Sequence, residues 1–202
     1  MGQALRVSAA MPVLLLLSVL VLGQALERLY VFWISRRLPS GLWQRVREKL
    51  EEGDPSSALG LCRLSSGIME QALERLLSIP EPNGEKLVEA FQLYRHRLSR
   101  DLSRRVGLFG TASFIAPLIG LLGTVLGIMR AFHDLSAAGA GGPAVVAAGI
   151  SEALVTTAAG IGVAVMSAVF YNYFTLSARD RLSEADLWIF ELASLLERRP
   201  QP

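Results

Sequence analysis

The sequence predicts an all-α membrane protein with three transmembrane helices, on the strength of three observations. Hydrophobic residues make up 51% of the 202 residues, and charged residues only 19%. The hydrophobic residues are concentrated in three blocks, at 9–34, 106–129 and 144–174. Each block provides the roughly 20 residues that a helix needs to cross a ~30 Å hydrocarbon core. Integration into a membrane therefore explains this composition better than a soluble core does.

The first block could be either a secretory signal peptide or a retained span. Tyr30, Phe32 and Trp33 prolong it with the aromatic residues typical of a membrane interface. Only Arg6 precedes the block, whereas Arg28 lies near its end and five more basic residues follow it by position 49. Because cytoplasmic flanks are enriched in Lys and Arg, we expect residues 1–34 to hold an N-terminal segment and a first transmembrane helix, with the N-terminus outside.

Residues 35–84 are charged and are predicted to form short cytoplasmic helices. Ser40 is a candidate N-cap, and Gly53 is expected to end the helix that follows. Asp54 and Pro55 have the N-cap and first-turn pattern of the next helix. The region contains no catalytic, metal-spaced or phosphate-binding motif, so the sequence does not indicate an enzyme or a cofactor. Basic residues without interleaved aromatics also give no reason to expect a nucleic-acid partner.

The rest of the chain is divided by the second and third apolar blocks. No breaker separates the charged stretch that starts at position 85 from the second block, so residues 85–135 are predicted to form one long helix containing the second span. Residues 136–143 form the predicted periplasmic connector. Residues 144–202 are predicted to hold the third span and a cytoplasmic C-terminal helix, because four arginines lie after position 178 and none between 136 and 178.

Thr124 and Thr157 are polar residues inside the second and third spans. Thr124 lies six residues before Arg130, and Thr157 lies seven residues after Ile150. At ~1.5 Å per residue, both lie roughly 9–11 Å below the outer surface. Two antiparallel helices would therefore bring the two hydroxyl groups to the same level.

Small residues surround these threonines at helical spacing, and in lipid they allow helices to approach closely. Gly120, Gly123 and Gly127 are on the second span, and Gly160 is on the third. Pro117 is expected to kink the second span, which neighbouring helices can accommodate. Threonine in such helices often bonds only a carbonyl of its own helix. From spacing alone, both helix packing and pore lining remain open.

Glu152 is a second kind of candidate, because an acid at the end of a span is costly unless it is paired or hydrated. An interfacial carboxylate in water is the alternative. Glu152 and Thr156 lie on one helix face, whereas Thr157 lies about 100° round. If Thr157 faces a lumen, the other two are expected to face a neighbouring helix. No span has a carboxylate or histidine at mid-depth, so a group that carries ions must come mainly from another polypeptide.

Two motifs carry a resemblance to a known family: APLIGLLGTVLGIM at 116–129 and GISEALVTTAAG at 149–160. Glu27-Arg28-Leu29 and Gly53-Asp54-Pro55 also fit. The chain resembles the MotA/TolQ/ExbB proton channel family, and three spans with the N-terminus outside match its TolQ/ExbB branch. The flagellar branch has four spans.

The resemblance implies a homopentamer in the bacterial inner membrane whose second and third spans line a central pore. Inside the pore it implies single helices from two copies of a TolR/ExbD-like partner, each with an ion-carrying Asp, and a TonB/TolA-like effector beyond. Thr124 and Thr157 would be the pore-lining pair, with Glu152 as the acid of the third span. Thr156 stands where relatives often have Ala, so the lumen-facing threonine stays open between Thr156 and Thr157.

The expected function is thus that of an ion-channel or stator subunit of a motor driven by the proton motive force. It would couple inward flow of protons, with sodium as the alternative ion, to movement of the partner and so energise envelope processes such as transport. The alternative is a non-conducting membrane scaffold or permease subunit whose small residues and threonines only pack helices.

Overall fold

A computed structural model describes residues 10–35, 40–63, 68–79, 84–138 and 143–197 of the chain. Every regular element within these ranges is an α-helix. In order they are α1 (Ala10–Ser35), α2 (Ser40–Glu51), α3 (Pro55–Arg63), α4 (Ile68–Leu77), α5 (Gly84–Ser103), α6 (Gly107–Ala138) and α7 (Pro143–Glu197). The all-helical fold predicted from the sequence is confirmed for the described part of the chain.

Three helical stretches are long and apolar enough to cross a membrane, as the sequence predicts. They are Ala10–Trp33, Lys86–Ser136 and Val146–Leu195. The predicted connector at 136–143 begins inside a helix, because α6 continues to Ala138. At its other end Pro143 already belongs to α7, and residues 139–142 lie outside the described residues.

The chain divides into two compact units. The first, here called the apolar unit, comprises Met1–Glu27 and Arg105–Phe174, and its described part contains most of α1, all of α6 and the first part of α7. Its core brings together Leu14 of α1, Ala116 of α6 and Val163 of α7. Exposed large apolar side chains cover its outer surface, among them Leu16 and Phe114. An apolar exterior of this kind suits a lipid environment.

The second, here called the charged unit, comprises Arg28–Arg104 and Thr175–Pro202. Its described part contains the end of α1, the short helices α2 to α5 and the last part of α7. Buried apolar residues such as Val46, Leu87 and Leu192 form its interior.

Two sequence-predicted helix boundaries in the charged unit are confirmed. Gly53 follows α2 with φ +85°, a left-handed conformation that L side chains rarely adopt and that commonly ends helices. Asp54 caps α3, because the backbone N–H of Ser57 donates to its carboxylate at 3.0 Å. The predicted breaker at 80–83 lies outside the described residues.

The predicted continuous helix over residues 85–135 is interrupted in the structure at residues 104–106. A turn separates α5 from α6, and Arg105 has φ +61°. The backbone N–H groups of Leu108 and Phe109 donate to carbonyls three residues earlier, so α6 restarts with tight turns. Arg105 donates to both carboxylate oxygens of Glu27 at 2.9 Å, which fixes its side chain in this conformation. No Pro or Gly stands at 104–106, and Gly107, the first residue of α6, is the nearest helix-breaking residue.

Candidate functional site: a hydroxyl and carbonyl cluster between α6 and α7

The backbones of α6 and α7 approach each other most closely around Gly120 and Gly160. A Cβ atom added at Gly160 would lie 2.6 Å from the carbonyl oxygen of Ala116 and 3.0 Å from the Cα of Gly120. One added at Gly120 would lie 2.9 Å from the carbonyl oxygen of Thr156. Real Cβ atoms do not tolerate such contacts, so these two positions require glycine for the helices to meet.

The other predicted packing glycines lie on the same interface. A Cβ atom at Gly127 would lie 2.7 Å from the Cβ of Ala153. A Cβ atom at Gly123 would lie 2.6 Å from the hydroxyl of Thr156 and 2.8 Å from Ala10 of α1. All four glycines singled out in the sequence therefore lie at helix contacts.

The close approach brings the hydroxyl groups of Thr124 and Thr157 into hydrogen-bond contact. Both side chains are half-buried. Each oxygen also lies 3.2 Å from the carbonyl oxygen of Gly120. The structure thus places at one level two hydroxyl groups that the sequence predicts to meet there.

Thr156 differs from its neighbour in being completely buried. Its hydroxyl donates to the carbonyl of Ala153 at 2.7 Å, and its oxygen lies 3.2 Å from the carbonyl oxygen of Gly120. Thr156 therefore packs against α6 inside the chain. Thr157 is only half-buried, and the side of the cluster on which it is exposed is here called the half-open side. From the sequence, Thr156 is expected to face a neighbouring helix if Thr157 faces a lumen, and Thr156 does face α6.

The three threonine hydroxyls have no unused proton, and only their lone pairs are available for a further hydrogen bond. A hydroxyl has one proton to donate and lone pairs with which to accept. Thr156 uses its proton on the Ala153 carbonyl, and the bond between Thr124 and Thr157 uses a second. The third goes to the Gly120 carbonyl or, where Thr124 donates it, to the Ala153 carbonyl, which is also 3.2 Å from the Thr124 oxygen. In this arrangement the half-open side of the cluster presents hydroxyl lone pairs. It can accept a hydrogen bond from an acid or coordinate a cation, but it cannot donate to an anion unless one of these bonds breaks.

Glu152 and Pro117 lie outside the cluster. Glu152 is exposed one turn before Thr156, and the described residues provide it with no ion pair. Pro117 lies inside α6, which continues through it from Gly107 to Ala138. The expected kink at Pro117 stays a prediction.

Sequence reasoning missed two contacts of the same interface. A Cβ atom at Gly149 would lie 2.5 Å from the Cβ of Ala131, so the close approach extends a further turn towards the α6–α7 connector. Gly110 lies against the ring of Tyr171, with 3.2 Å between a built Cβ and the nearest ring carbon. Gly110 and Gly149 could have been found because each is a glycine inside an apolar helix. Only the glycines close to the threonines were singled out from the sequence.

These features define a class: a multi-pass helical membrane protein whose second and third long apolar helices are held by glycine contacts around an internal cluster of hydroxyls. A model of the MotA/TolQ/ExbB proton channel family matches residues 63–186, which is more than half of the chain and includes the whole cluster. The chain belongs to the MotA/TolQ/ExbB proton channel family, and its relatives place it in the TolQ/ExbB branch. That family is described by channel activity, not by catalysis.

Three relatives illustrate the similarity. The biopolymer transport protein ExbB of Pseudomonas putida is 29% identical over 199 residues, covering 89% of this chain and 60% of that protein. The Tol-Pal system protein TolQ of Haemophilus influenzae is 35% identical over 120 residues, covering 59% of this chain and 53% of that protein. ExbB of Aquifex aeolicus is 28% identical over 141 residues, covering 70% and 90% respectively. The chain therefore spans little more than half the length of the first two relatives.

Proposed function

We propose that the chain is the ion-channel or stator subunit of a motor driven by the proton motive force. In this proposal five copies form a ring in the bacterial inner membrane, with the N-terminus outside and the C-terminus in the cytoplasm. Helices α6 and α7 of each copy line a central pore. The observation that carries the proposal is the half-open pair of Thr124 and Thr157, placed within apolar helices with lone pairs left to accept a proton donor.

The partner in this proposal is a single-span protein of the TolR/ExbD type with an Asp inside the membrane. A protonated Asp can donate a hydrogen bond to the hydroxyl lone pairs of Thr124 or Thr157. An ionised Asp has no proton to donate, and it can accept a hydrogen bond from a threonine hydroxyl only if that hydroxyl gives up one of its present bonds in the cluster. The two protonation states of the partner therefore interact differently with the ring, and this difference is what couples proton transfer to movement of the partner.

The energies are compatible with such a cycle. A proton that crosses a potential of 100 mV releases about 2.3 kcal/mol. A neutral hydrogen bond contributes about 0.5–1.5 kcal/mol net. One proton therefore supplies enough free energy to exchange one hydroxyl–carbonyl bond in the cluster for another.

In the proposed path, protons enter from outside past Glu152, which is exposed on α7, and reach the partner Asp beside the threonine pair. They leave to the cytoplasm as the partner moves on. Thr156 supports the pair from behind. The names of the relatives, biopolymer transport and the Tol-Pal system, support transport or envelope maintenance as the process that is energised.

The test is ion flux through the chain purified with its partner and reconstituted in vesicles with an internal pH dye. Thr124→Val and Thr157→Val keep the shape of the side chain and remove the hydroxyl. We expect each to lower proton flux by ~tenfold or more, the effect of losing an interaction of about 1.4 kcal/mol in the rate-limiting state. Thr157→Ser, which restores a hydroxyl, is expected to recover most of the flux. A sodium gradient in place of the pH gradient decides which ion is carried.

The matched control is Thr111→Val. Thr111 is on α6, and its hydroxyl donates only to the Gly107 carbonyl of its own helix at 3.1 Å. Its replacement is expected to leave the flux unchanged. The competing function, a non-conducting scaffold or permease subunit, predicts equal behaviour of all three valine variants. That result, with assembly intact, would contradict the proposal.

A further inference from the structure

The described part of α5 has an exposed stripe of basic and apolar residues. Leu93, Arg97 and Arg100 follow one another at intervals of four and three residues, so they lie on one face of the helix. Leu93 is 72% exposed, and both arginines are exposed. Neither arginine takes part in an ion pair with any residue that the structure describes.

The described part of α7 has a matching stripe of opposite charge in the same unit. Asp180, Glu184 and Leu187 also follow at intervals of four and three residues. Leu187 is 68% exposed, and both carboxylates are exposed. Within the described ranges, neither carboxylate has an ion-pair partner. An exposed leucine next to uncompensated charge is present on both helices, in the reverse order along the chain.

A salt bridge within the chain gives the approximate register between the two helices. Arg95 of α5 donates two hydrogen bonds to Asp186 of α7, at 2.7 and 2.9 Å. Arg28 of α1 donates to the Asp101 carbonyl of α5, and Arg181 of α7 donates to the Phe32 carbonyl of α1. Together with the Arg95–Asp186 pair, these contacts fit best when α5 and α7 run in opposite directions, so a step forward from Arg95 corresponds to a step back from Asp186. Arg97 is therefore level with Glu184.

Counted from the Arg95–Asp186 pair, the other members of the two stripes match to within one residue, which is a step of ~1.5 Å along a helix. Arg100 is level with Asp180 and Leu93 with Leu187. The same register also prevents these residues from pairing inside one chain. Arg97 and Glu184 each lie two residues from the salt bridge, and two residues turn a helix by about 200°. Both stripes therefore face away from the contact between α5 and α7.

We infer that the α5 stripe of one copy binds the α7 stripe of a neighbouring copy. Copies related by rotation about an axis parallel to these helices keep every residue at its own level. Arg97 and Arg100 then meet Glu184 and Asp180 of the next copy, with the two leucines in contact beside them. Such a contact is head-to-tail, using a different surface on each side, and contacts of this kind close into rings.

A second copy is the occupant that these observations favour over a lipid headgroup or another protein. An anionic headgroup would account for the basic stripe only, whereas a neighbouring copy accounts for both stripes and for their common levels. The inference rests on the proposed function for the ring, and it specifies which surfaces build that ring.

The test uses two differently tagged full-length chains that are co-expressed and cross-linked in the membrane. Both carry Cys62→Ser, which removes the natural cysteine. One also carries Arg97→Cys and the other Glu184→Cys, so that a short bismaleimide can join only different chains. We expect a covalent species of two chains that contains both tags.

The matched control replaces Glu184→Cys by Ser194→Cys. Ser194 is also exposed on α7, about 80° round the helix from Glu184, and it lies ten residues, or ~15 Å, further along. Little cross-linking is expected for this combination. A second measurement is charge reversal: Arg97→Glu with Arg100→Glu is expected to weaken assembly in native mass spectrometry, and Glu184→Arg with Asp180→Arg in the same chain is expected to restore it.

Equal cross-linking at Glu184 and Ser194, or none at either, would overturn this interface. The readout is independent of ion flux, so a scaffold that assembles without conducting would still give the cross-link. Conduction that depends on Thr124 without the cross-link would overturn the interface alone.

Discussion

The two units of this chain hold their helices together by different means. In the apolar unit, α6 and α7 meet through glycines and through hydroxyl groups directed at backbone carbonyls. In the charged unit, α7 is held by side chains with charge or large rings. Arg95 binds Asp186, Arg47 binds Glu191 at 2.6 Å, and Trp43 stacks on Trp188.

The difference reflects what surrounds each unit. In lipid, apolar side chains gain nothing by leaving the solvent, so helices associate through close packing and internal polar contacts. In water, burial of large apolar groups is favourable, and partly exposed ion pairs can add to it at low cost. One continuous helix, α7, contributes to both units and changes its contact chemistry along its length. The predictions below separate the two chemistries.

The largest effect is expected from adding one methyl group to the apolar unit. Gly160→Ala places a Cβ 2.6 Å from the carbonyl oxygen of Ala116, and neither backbone can move without separating α6 from α7. We expect a loss of about 1–3 kcal/mol in the free energy of unfolding. Thermal unfolding in detergent measures it.

Gly162→Ala is the control for this change. Gly162 is two residues further along α7 and has nothing within 4 Å of a built Cβ. Its replacement should leave stability unchanged or raise it, because alanine is the better helix former. Equal losses for both variants would show that close approach is not what holds these helices.

A smaller effect is expected for the ion pair of the charged unit. The side chains of Arg95 and Asp186 are 39% and 28% exposed, so their interaction is screened by solvent. A double-mutant cycle with Arg95→Gln and Asp186→Asn should give a coupling energy of about 0.5–1 kcal/mol. The coupling should shrink as salt is raised to about 1 M.

The loss of stability in Gly160→Ala should not change with salt, because it is a steric effect. The salt dependence therefore distinguishes the ion pair of the charged unit from the close packing of the apolar unit. A coupling between Arg95 and Asp186 that is unchanged at high salt would mean that the pair acts through packing, as the apolar unit does.

The smallest effect is expected for the loss of stability at low pH that follows protonation of Asp54. The hydroxyl of Ser57, its backbone N–H and the hydroxyl of Ser56 all donate to Asp54, and they lower the pKa of this carboxyl to about 2. A lowered folded-state pKa contributes stability above the ordinary value of about 3.8, and this is lost as the pH falls towards 2. The melting temperature of the natural chain should therefore fall more between pH about 4 and 2 than that of Asp54→Asn.

Ser57→Ala provides the check on the cause. Because the Ser57 hydroxyl contributes most to the lowered pKa of Asp54, its removal should shift the acid response part of the way towards that of Asp54→Asn, while the Ser57 backbone N–H and the Ser56 hydroxyl keep the rest. A Ser57→Ala chain with the natural acid response would assign the effect to other carboxylates.

Local signals predicted a large part of this fold. The apolar blocks gave the three long helices, Gly53 and Asp54 gave a helix end and a helix start, and helical rise gave the common level of Thr124 and Thr157. All of these depend on neighbours within a few residues or on the fixed 1.5 Å step of a helix.

The features that could not be predicted depend on distant partners. Arg95 and Asp186 are 91 residues apart, and no sequence pattern around either residue indicates that they pair. At the turn, the Arg105 side chain binds Glu27, which is 78 residues away. Spacing placed Thr156 and Thr157 on different faces, but only the packing of α6 against α7 decides that Thr156 is the buried one.

The stacked pair of Trp43 and Trp188 gives the protein a built-in optical reporter. Their indole rings lie 5.3 Å apart with only 3° between their planes. Rings this close share their electronic excitation, so near-ultraviolet circular dichroism should carry a signal specific to the pair. With Trp33 the only other tryptophan, that signal would disappear when α2 leaves α7. Detachment of this helix could thus be followed in real time without attaching a dye.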